Sequence, residues 1–369
     1  MGLYGFVCLF RADVSASGLA FRIPQLWLDI YRNHNKNTYL IVNKSLFDKV
    51  LSGAQERENI YVIPEVFGFK FSMALFVPFL LLYLIFIKKM NKIHLSNGGA
   101  FFAKFLKVAN KFFLGGELVL HTSIGSKNLD MITGGDFSSR YYKLHIDLLN
   151  AVDKVDCLYS PDGFPDYAAK CIQSPGSFSW KYSTHDILNI DKSAIKNDIL
   201  FCGSFLPQKN YRLAIDSYVK FYTDCKLADK PRLYIVAPSV PENIQNEILT
   251  INDNKTGEII FLDIEQLESK LSEIYVFLSL QDYDNYPSQS LIESMIFGCT
   301  IIATNFGETS RLVDPNYNSL VRKEVDDVVA ALIFYFNKPS YFNSFNNEII
   351  VKNHTIAVYS DYFYNNFVR

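Results

Sequence analysis

The sequence predicts an α/β chain built from two doubly wound parallel sheets. Three observations carry that prediction. The chain has 369 residues, too many for one ordinary core and enough for two domains of about 150–200 residues. Short apolar runs alternate with longer stretches of helical spacing, the pattern of parallel strands wrapped by helices. A fresh strand–helix series starts at Ile199, after a polar stretch, His185–Asn197, that reads as a linker.

In the first half, strands are expected at Tyr4–Phe10, Thr38–Val42, Ile60–Ile63, Ile93–Ser96, Leu118–His121 and Cys157–Ser160. In the second half they are expected at Ile199–Cys202, Arg232–Ala237, Ile259–Leu262, Val276–Leu280 and Thr300–Ala303, with helices such as Tyr211–Thr223 and Ser288–Phe297. The expected domains are 1–190 and 196–345, with the aromatic segment 346–369 forming a helix that crosses back to the first domain. In such sheets the functional groups gather at the carboxyl ends of the strands, where helix N-termini point.

Composition narrows the function. Hydrophobic residues make up 49% and charged residues 20%, which excludes a disordered chain. A formal charge of -2 argues against a nucleic-acid binder. The 31 Phe and 23 Tyr exceed what a core needs, so aromatic surface is expected against a ligand or a lipid. Six scattered cysteines, with no C-x-x-C, suit a reducing cytoplasm. The apolar run Leu3–Phe10 has no preceding cation and reads as a strand, not a leader.

From Val66 to Gly116 there is no Asp or Glu, yet Lys70, Lys88, Lys89, Lys92, Lys104, Lys107 and Lys111 lie there. Within this stretch Met73–Ile87 is almost unbroken apolar chain, interrupted by Pro78. It is short of the ~20 residues a membrane span needs. A buried core helix and a membrane-surface helix flanked by cations both fit the spacing, and a span fits it less well. The acid-free context favours docking on an anionic membrane surface.

The chemistry-bearing residues lie in the second half. Ile199–Cys202, Gly203, Ser204 and then Lys209–Asn210 read as strand, glycine turn, loop and helix, with Lys209 a mobile cation for phosphate. Later, Asp282–Tyr283–Asp284–Asn285 forms an acidic loop before Ser288–Gln289–Ser290 and a helix that carries Glu293 and closes at Gly298. The amides at the start of that helix make an anion site. Thr300–Ala303 and the loop Thr304–Asn305–Phe306–Gly307 follow.

This combination resembles the retaining, nucleotide-sugar-dependent glycosyltransferases of family 4 with the GT-B fold, of the type that builds bacterial surface polysaccharides such as capsule and lipopolysaccharide O-antigen. The resemblance covers Ile199 to about Arg322, and the first half only in its order of strands and helices. It implies two Rossmann-like domains facing a cleft, with the nucleotide-sugar donor held by the second. Glu293 would accept from the ribose hydroxyls. Gly203, Ser204, Asn285, Ser288, Gln289 and Ser290 would line the donor, with Asp284 at the sugar. Lys209 would meet the charge on the leaving diphosphate. Asp13 and Gly18 resemble the family's acceptor loop, and Gly98–Gly99 a second loop toward the acceptor. His121 matches a histidine the family often places near the donor sugar, although a structural histidine fits the position equally.

Two departures stand out. The family's arginine after the first glycine is Ser204 here, leaving Lys209, Arg311 and Arg212 as candidate cations. The residue eight before Glu293 is Asn285, with Asp284 one further. The Asp282–Asp284 pair is a D-x-D, but in this context it reads as the acidic loop, so no metal and no other cofactor is expected. The implied function is transfer of a sugar, with retention, to a lipid-linked or oligosaccharide acceptor, by a cytoplasmic enzyme peripheral to the inner face of the membrane. A GT-B nucleotide-sugar epimerase and a degenerate, non-catalytic binding partner are the alternatives. No G-x-G-x-x-G follows a strand, which argues against a nicotinamide dehydrogenase.

Overall fold

The computed structural model describes residues 3–10, 18–113, 115–124, 140–158, 166–191, 193, 197–237, 239–282, 288–338 and 342–369. The chain divides into two compact units. One is Met1–Gly176 with Ile356–Arg369, and the other is Ser177–Thr355.

The first unit has seven parallel strands: β1 (Leu3–Leu9), β2 (Thr38–Asn43), β3 (Ile60–Ile63), β4 (Met90–Asn97), β5 (Val119–Ile124), β6 (Lys154–Cys157) and β7 (Cys171–Gln173). Their order is β3-β2-β1-β4-β5-β6-β7. Its helices are α1 (Gly18–Asn33), α2 (Lys44–Val50), α3 (Phe69–Phe86), α4 (Ala103–Phe113) and α5 (Arg140–Ala151). The chain winds outward from β1 to β3, then returns to β4 and winds the other way. Right-handed crossovers therefore put α1 and α2 on one face, and α3, α4 and α5 on the other.

The second unit has six parallel strands: β8 (Asp198–Cys202), β9 (Leu233–Val236), β10 (Ile259–Leu262), β11 (Ile274–Ser279), β12 (Thr300–Thr304) and β13 (Ser319–Val321). Their order is β10-β9-β8-β11-β12-β13. It begins with the single turn α6 (Thr184–Leu188). Then come α7 (Tyr211–Asp224), α8 (Glu242–Asp253), α9 (Ile264–Leu271), α10 (Gln289–Ile296), α11 (Val325–Phe336) and α12 (Ser344–Asn353). Both faces of the sheet are covered, so β11 is buried along its whole length and reads as a continuous apolar run rather than an alternating one. Helix α7 buries Leu213, Ala214, Ser217, Tyr218 and Phe221, one stripe at helical spacing. Phe221 meets Phe336 of α11 at 5.4 Å between ring centroids.

The unit boundary lies at Gly176/Ser177, earlier than residue 190. Segment 177–190 belongs to the second unit because it is bonded there. His354 Nδ1 lies 2.8 Å from the Ser177 carbonyl, and Ile187 is buried. Helix α12 also stays with the second unit, although it falls inside the segment 346–369. Asn346 donates to the Cys299 carbonyl (2.7 Å) and Asn347 to the Ile296 carbonyl (2.8 Å). Buried amides of this kind are held by their partners. Only from Ile356 does the chain join the first unit, as α13 (Ile356–Phe363) and a π-helical turn, Tyr364–Val368. Helix α13 lies against α1. Phe363 and Phe367 cover Tyr4, Phe6, His94 and His121.

Candidate functional site

In the second unit the strand order reverses between β8 and β11, the place where an open sheet leaves a crevice at its carboxyl edge. The loops leaving these two strands are tied together. Asn210 adopts a left-handed conformation (φ 54°), which asparagine tolerates, and its side-chain amide donates to the Leu280 carbonyl at 2.7 Å. The Asp282 amide donates to the Gln208 carbonyl at 3.1 Å. Lys209 is thereby set over the crevice, its ammonium donating to Gln281 Oε1 at 3.2 Å. Burial holds the Lys209 ammonium below the ordinary lysine range.

After the loop that leaves β11 comes α10. Ser288 caps it, accepting from the Leu291 amide at 3.2 Å. Gly298 closes it with φ 66°, where a side chain would be strained and would strike the Phe342 ring. Glu293 is 4% exposed. Its Oε1 accepts from Gln289 at 3.2 Å and from the Lys181 ammonium at 3.1 Å. Gln289 Oε1 is buried with no hydrogen-bond partner among the described residues. The Cys202 thiol, at the end of β8, senses Glu293, Lys209 and Lys181 together and is hydrogen-bonded by Ser290. Burial first, and the Glu293 charge second, push this thiol up to about 11. A carboxylate acceptor, two ammonium groups and two serine hydroxyls thus share one end of the sheet. That set can accept from a diol and receive a diphosphate.

Sequence reasoning missed Lys181. It lies ahead of the strand series of the second half, just before the stretch His185–Asn197 that reads as a linker. Its own segment is fixed by buried Phe178 and by the Ser179 amide donating to the His354 carbonyl at 2.8 Å. The lysine lies over the Trp180 ring at 5.7 Å, and Tyr182 beyond it rests against Phe297. A lysine between two aromatics, Trp180–Lys181–Tyr182, is the local signal that was available.

The other predicted residues divide. Gly203 and Ser204 follow β8, and Ser204 is half-buried. Arg212 is paired with Glu247, and Arg311 interacts with Glu308. Asp282 is paired with Lys323. Asp13, Asp284 and Asn285 lie outside the described residues. Gly18 is the first residue of α1. Gly98 and Gly99 press on β1: a Cβ on either would come within 2.7 Å of a carbonyl oxygen, of Leu9 and Val7 respectively. That close approach accounts for both glycines.

His121 is corrected. It lies in β5 with its ring 1% exposed, between Tyr4 and Phe367. The Tyr4 hydroxyl is 3.0 Å from its Nδ1. Burial pushes it down to about 3. A ring covered in this way is a neutral core residue and not a group presented to a sugar. A shallow depression lined by Pro315, Tyr317, Ser319, Phe334 and Lys338 holds none of the predicted residues.

No protein-family model and no curated protein matches this sequence. Solved structures do. The Rickettsia africae glycosyltransferase aligns over 100% of this chain and 98% of its own, with TM-score 0.69 at 12% identity. The Anabaena protein Alr3699/HepE, solved in complex with UDP-glucose, aligns over 98% of each chain, with TM-score 0.66 at 13% identity. Sucrose-phosphate synthase from Thermosynechococcus elongatus aligns over 99% and 98%, with TM-score 0.65 at 14% identity. The likeness is one of fold: two parallel sheets wrapped by helices, the GT-B architecture.

Proposed function

We propose that the protein transfers a sugar from a nucleotide-sugar donor, with retention, to a lipid-linked acceptor in bacterial surface polysaccharide synthesis at the cytoplasmic face of the membrane. The observation that carries the donor half of this reading is the buried Glu293, paired with Lys181, at a switch point of the six-stranded sheet that also carries Lys209. A buried carboxylate is costly unless paired, and it is kept here at the carboxyl edge of the sheet with Lys181 as its partner. Glu293 accepts from the ribose diol. Lys209 and Lys181 meet the diphosphate, Lys181 standing in for the arginine that Ser204 replaces. The Anabaena relative solved with UDP-glucose supports the choice of donor class.

In the transfer, the bond from the sugar carbon to the diphosphate oxygen breaks. A bond from that carbon to the acceptor oxygen forms on the same face, and the acceptor's proton passes to the departing phosphate. The charge that builds on that phosphate is the transition-state feature two fixed ammonium groups stabilise. These cations leave no step that needs a metal, so turnover in excess chelator is expected to persist.

A thermal-shift screen of nucleoside diphosphates and their sugars tests the reading. A true donor at 100 times its Kd stabilises by about 2.7 kcal/mol. No shift with any nucleotide would overturn it. A shift without turnover on any acceptor would point to a degenerate binding partner, and acceptor-free interconversion of the sugar to an epimerase.

A further inference from the structure

The first unit carries a second surface that the donor reading does not use. Among the described residues, eleven of the nineteen exposed large apolar side chains fall between Val66 and Phe112. Eight of them form two stripes. On α3, Phe71, Leu75, Phe79 and Tyr83 recur every four residues along one side. The opposite side, including Met73, Val77 and Leu81, is buried, and α3 touches β3 and β4. Around α4, Phe101, Phe105, Val108 and Phe112 form the outward stripe, while Ala103, Leu106 and Ala109 face inward. Both helices lie on the same face of the sheet, as the crossovers require.

This arrangement decides between the three readings of the stretch. A core helix would be covered on most sides, and only 33% of α3 is buried. A spanning helix would meet lipid all round, and α3 rests on the sheet along one side. What remains is an apolar face rimmed by cations. Lys70, Lys88, Lys89 and Lys111 are exposed and form no ion pair among the described residues. Lys104 is paired with Asp147, Lys107 donates to the Asn150 carbonyl, and Lys92 donates to the Val368 carbonyl. The lysines that count are therefore fewer than the seven in the stretch, and Lys92 is not among them.

We propose that this two-helix face docks on an anionic phospholipid bilayer, with its aromatic stripes in the headgroup region and without crossing the membrane. The charge of the rim selects this occupant. Apolar faces buried about 5–10 Å into the interface with basic flanks are held by area and by charge together. A second copy of this chain would set the same cations against each other.

The test is flotation with phosphatidylglycerol vesicles and with phosphatidylcholine vesicles. The protein should bind the first more tightly than the second, and added salt should weaken that preference. Replacing Lys70, Lys88, Lys89 and Lys111 with Ser should weaken binding about five-fold per lysine, the ratio equivalent to about 1 kcal/mol each. Phe79→Ser with Phe105→Ser and Phe112→Ser should abolish binding at every salt concentration. All these side chains are exposed, so both variants should melt with the parent. Absence of vesicle binding by the parent would overturn the proposal. So would a dimer in solution that the Phe variant dissolves without any lipid effect, or retention of vesicle-bound protein through alkaline carbonate. The proposal does not rest on the transferase reading: vesicle binding without any nucleotide binding would keep this inference and remove that one.

Discussion

The two sheets share one winding rule and treat their polar residues in opposite ways. In the six-stranded sheet, the polar groups after β8 and β11 stand in the loops at the carboxyl edge, where Lys181 donates to Glu293 and Lys209 to Gln281. In the seven-stranded sheet, His94 and His121 are register partners on β4 and β5, and both are sealed beneath α13 and the turn that follows. Asp156 joins them, buried and accepting from Tyr359, Tyr362 and Ser123. The sealed histidines lie inside their strands, because β5 runs on past His121 to Ile124, whereas the donor candidates lie in loops and helices beyond the strand ends.

The sharpest way to break this contrast is Lys209→Ala. If the lysine meets charge that develops only in the transition state, turnover should fall by about 10²–10³ while donor affinity changes little and the melting temperature hardly at all. Steady-state kinetics beside calorimetric titration with UDP would show the split. Equal loss in both would make Lys209 a plain binding group.

Next in size is an acid effect in which the first unit has two buried histidines, His94 and His121, and the second has one, His354, which burial also lowers. Burial pushes both His94 and His121 down to about 3, below the ~6.5 of an unfolded histidine. Between those values the unfolded chain binds more protons than the folded one, so stability falls as pH falls from about 6.5 toward 3. By pH 5 each histidine costs about 2 kcal/mol. Asp156 opposes this, because burial raises its carboxyl and its protonation favours the fold as pH drops. Unfolding scans from pH 7.5 to 5 should show a falling midpoint, and His94→Gln with His121→Gln should flatten the curve. An unchanged slope would place the acid sensitivity elsewhere.

The smallest expected effect separates the role of Lys181 from that of Glu293. Lys181→Ala should weaken UDP binding about ten-fold while leaving uridine binding unchanged, because it removes one charge-assisted contact to the diphosphate. Glu293→Gln should weaken uridine and UDP alike. If Lys181→Ala lowers only the melting temperature, its bond to Glu293 is structural.

Much of the strand order was legible because apolar runs in buried parallel strands are continuous and bounded by turns. Ile60–Ile63 and Ile259–Leu262 are read without error. Of the strand expected at Cys157–Ser160, Tyr159 and Ser160 lie outside the described residues; β6 starts earlier, at Lys154, whose exposed side chain, with Asp156 after it, breaks the apolar run. The three-residue edge strands β7 and β13 are too short to show a period. Glu293 and Lys209 were readable from loop–helix spacing. Lys181 was not, since its place depends on a contact with α10 more than a hundred residues later. The role of His121 was misread for the same reason, because its cover comes from Phe367.

That cover has a consequence for how the chain is made. Ile356 leaves the ribosome 180 residues after Gly176 (356 minus 176), which at about 5–20 residues per second is a delay of roughly 10–40 s. Through that interval the face of β1, β4 and β5 that α13 will close stays bare, with Phe6, His94 and His121 in water. The unit that begins first is therefore finished last, and a nascent-chain complex arrested before Ile356 should expose aromatic surface to chaperones that the same complex arrested after Arg369 does not.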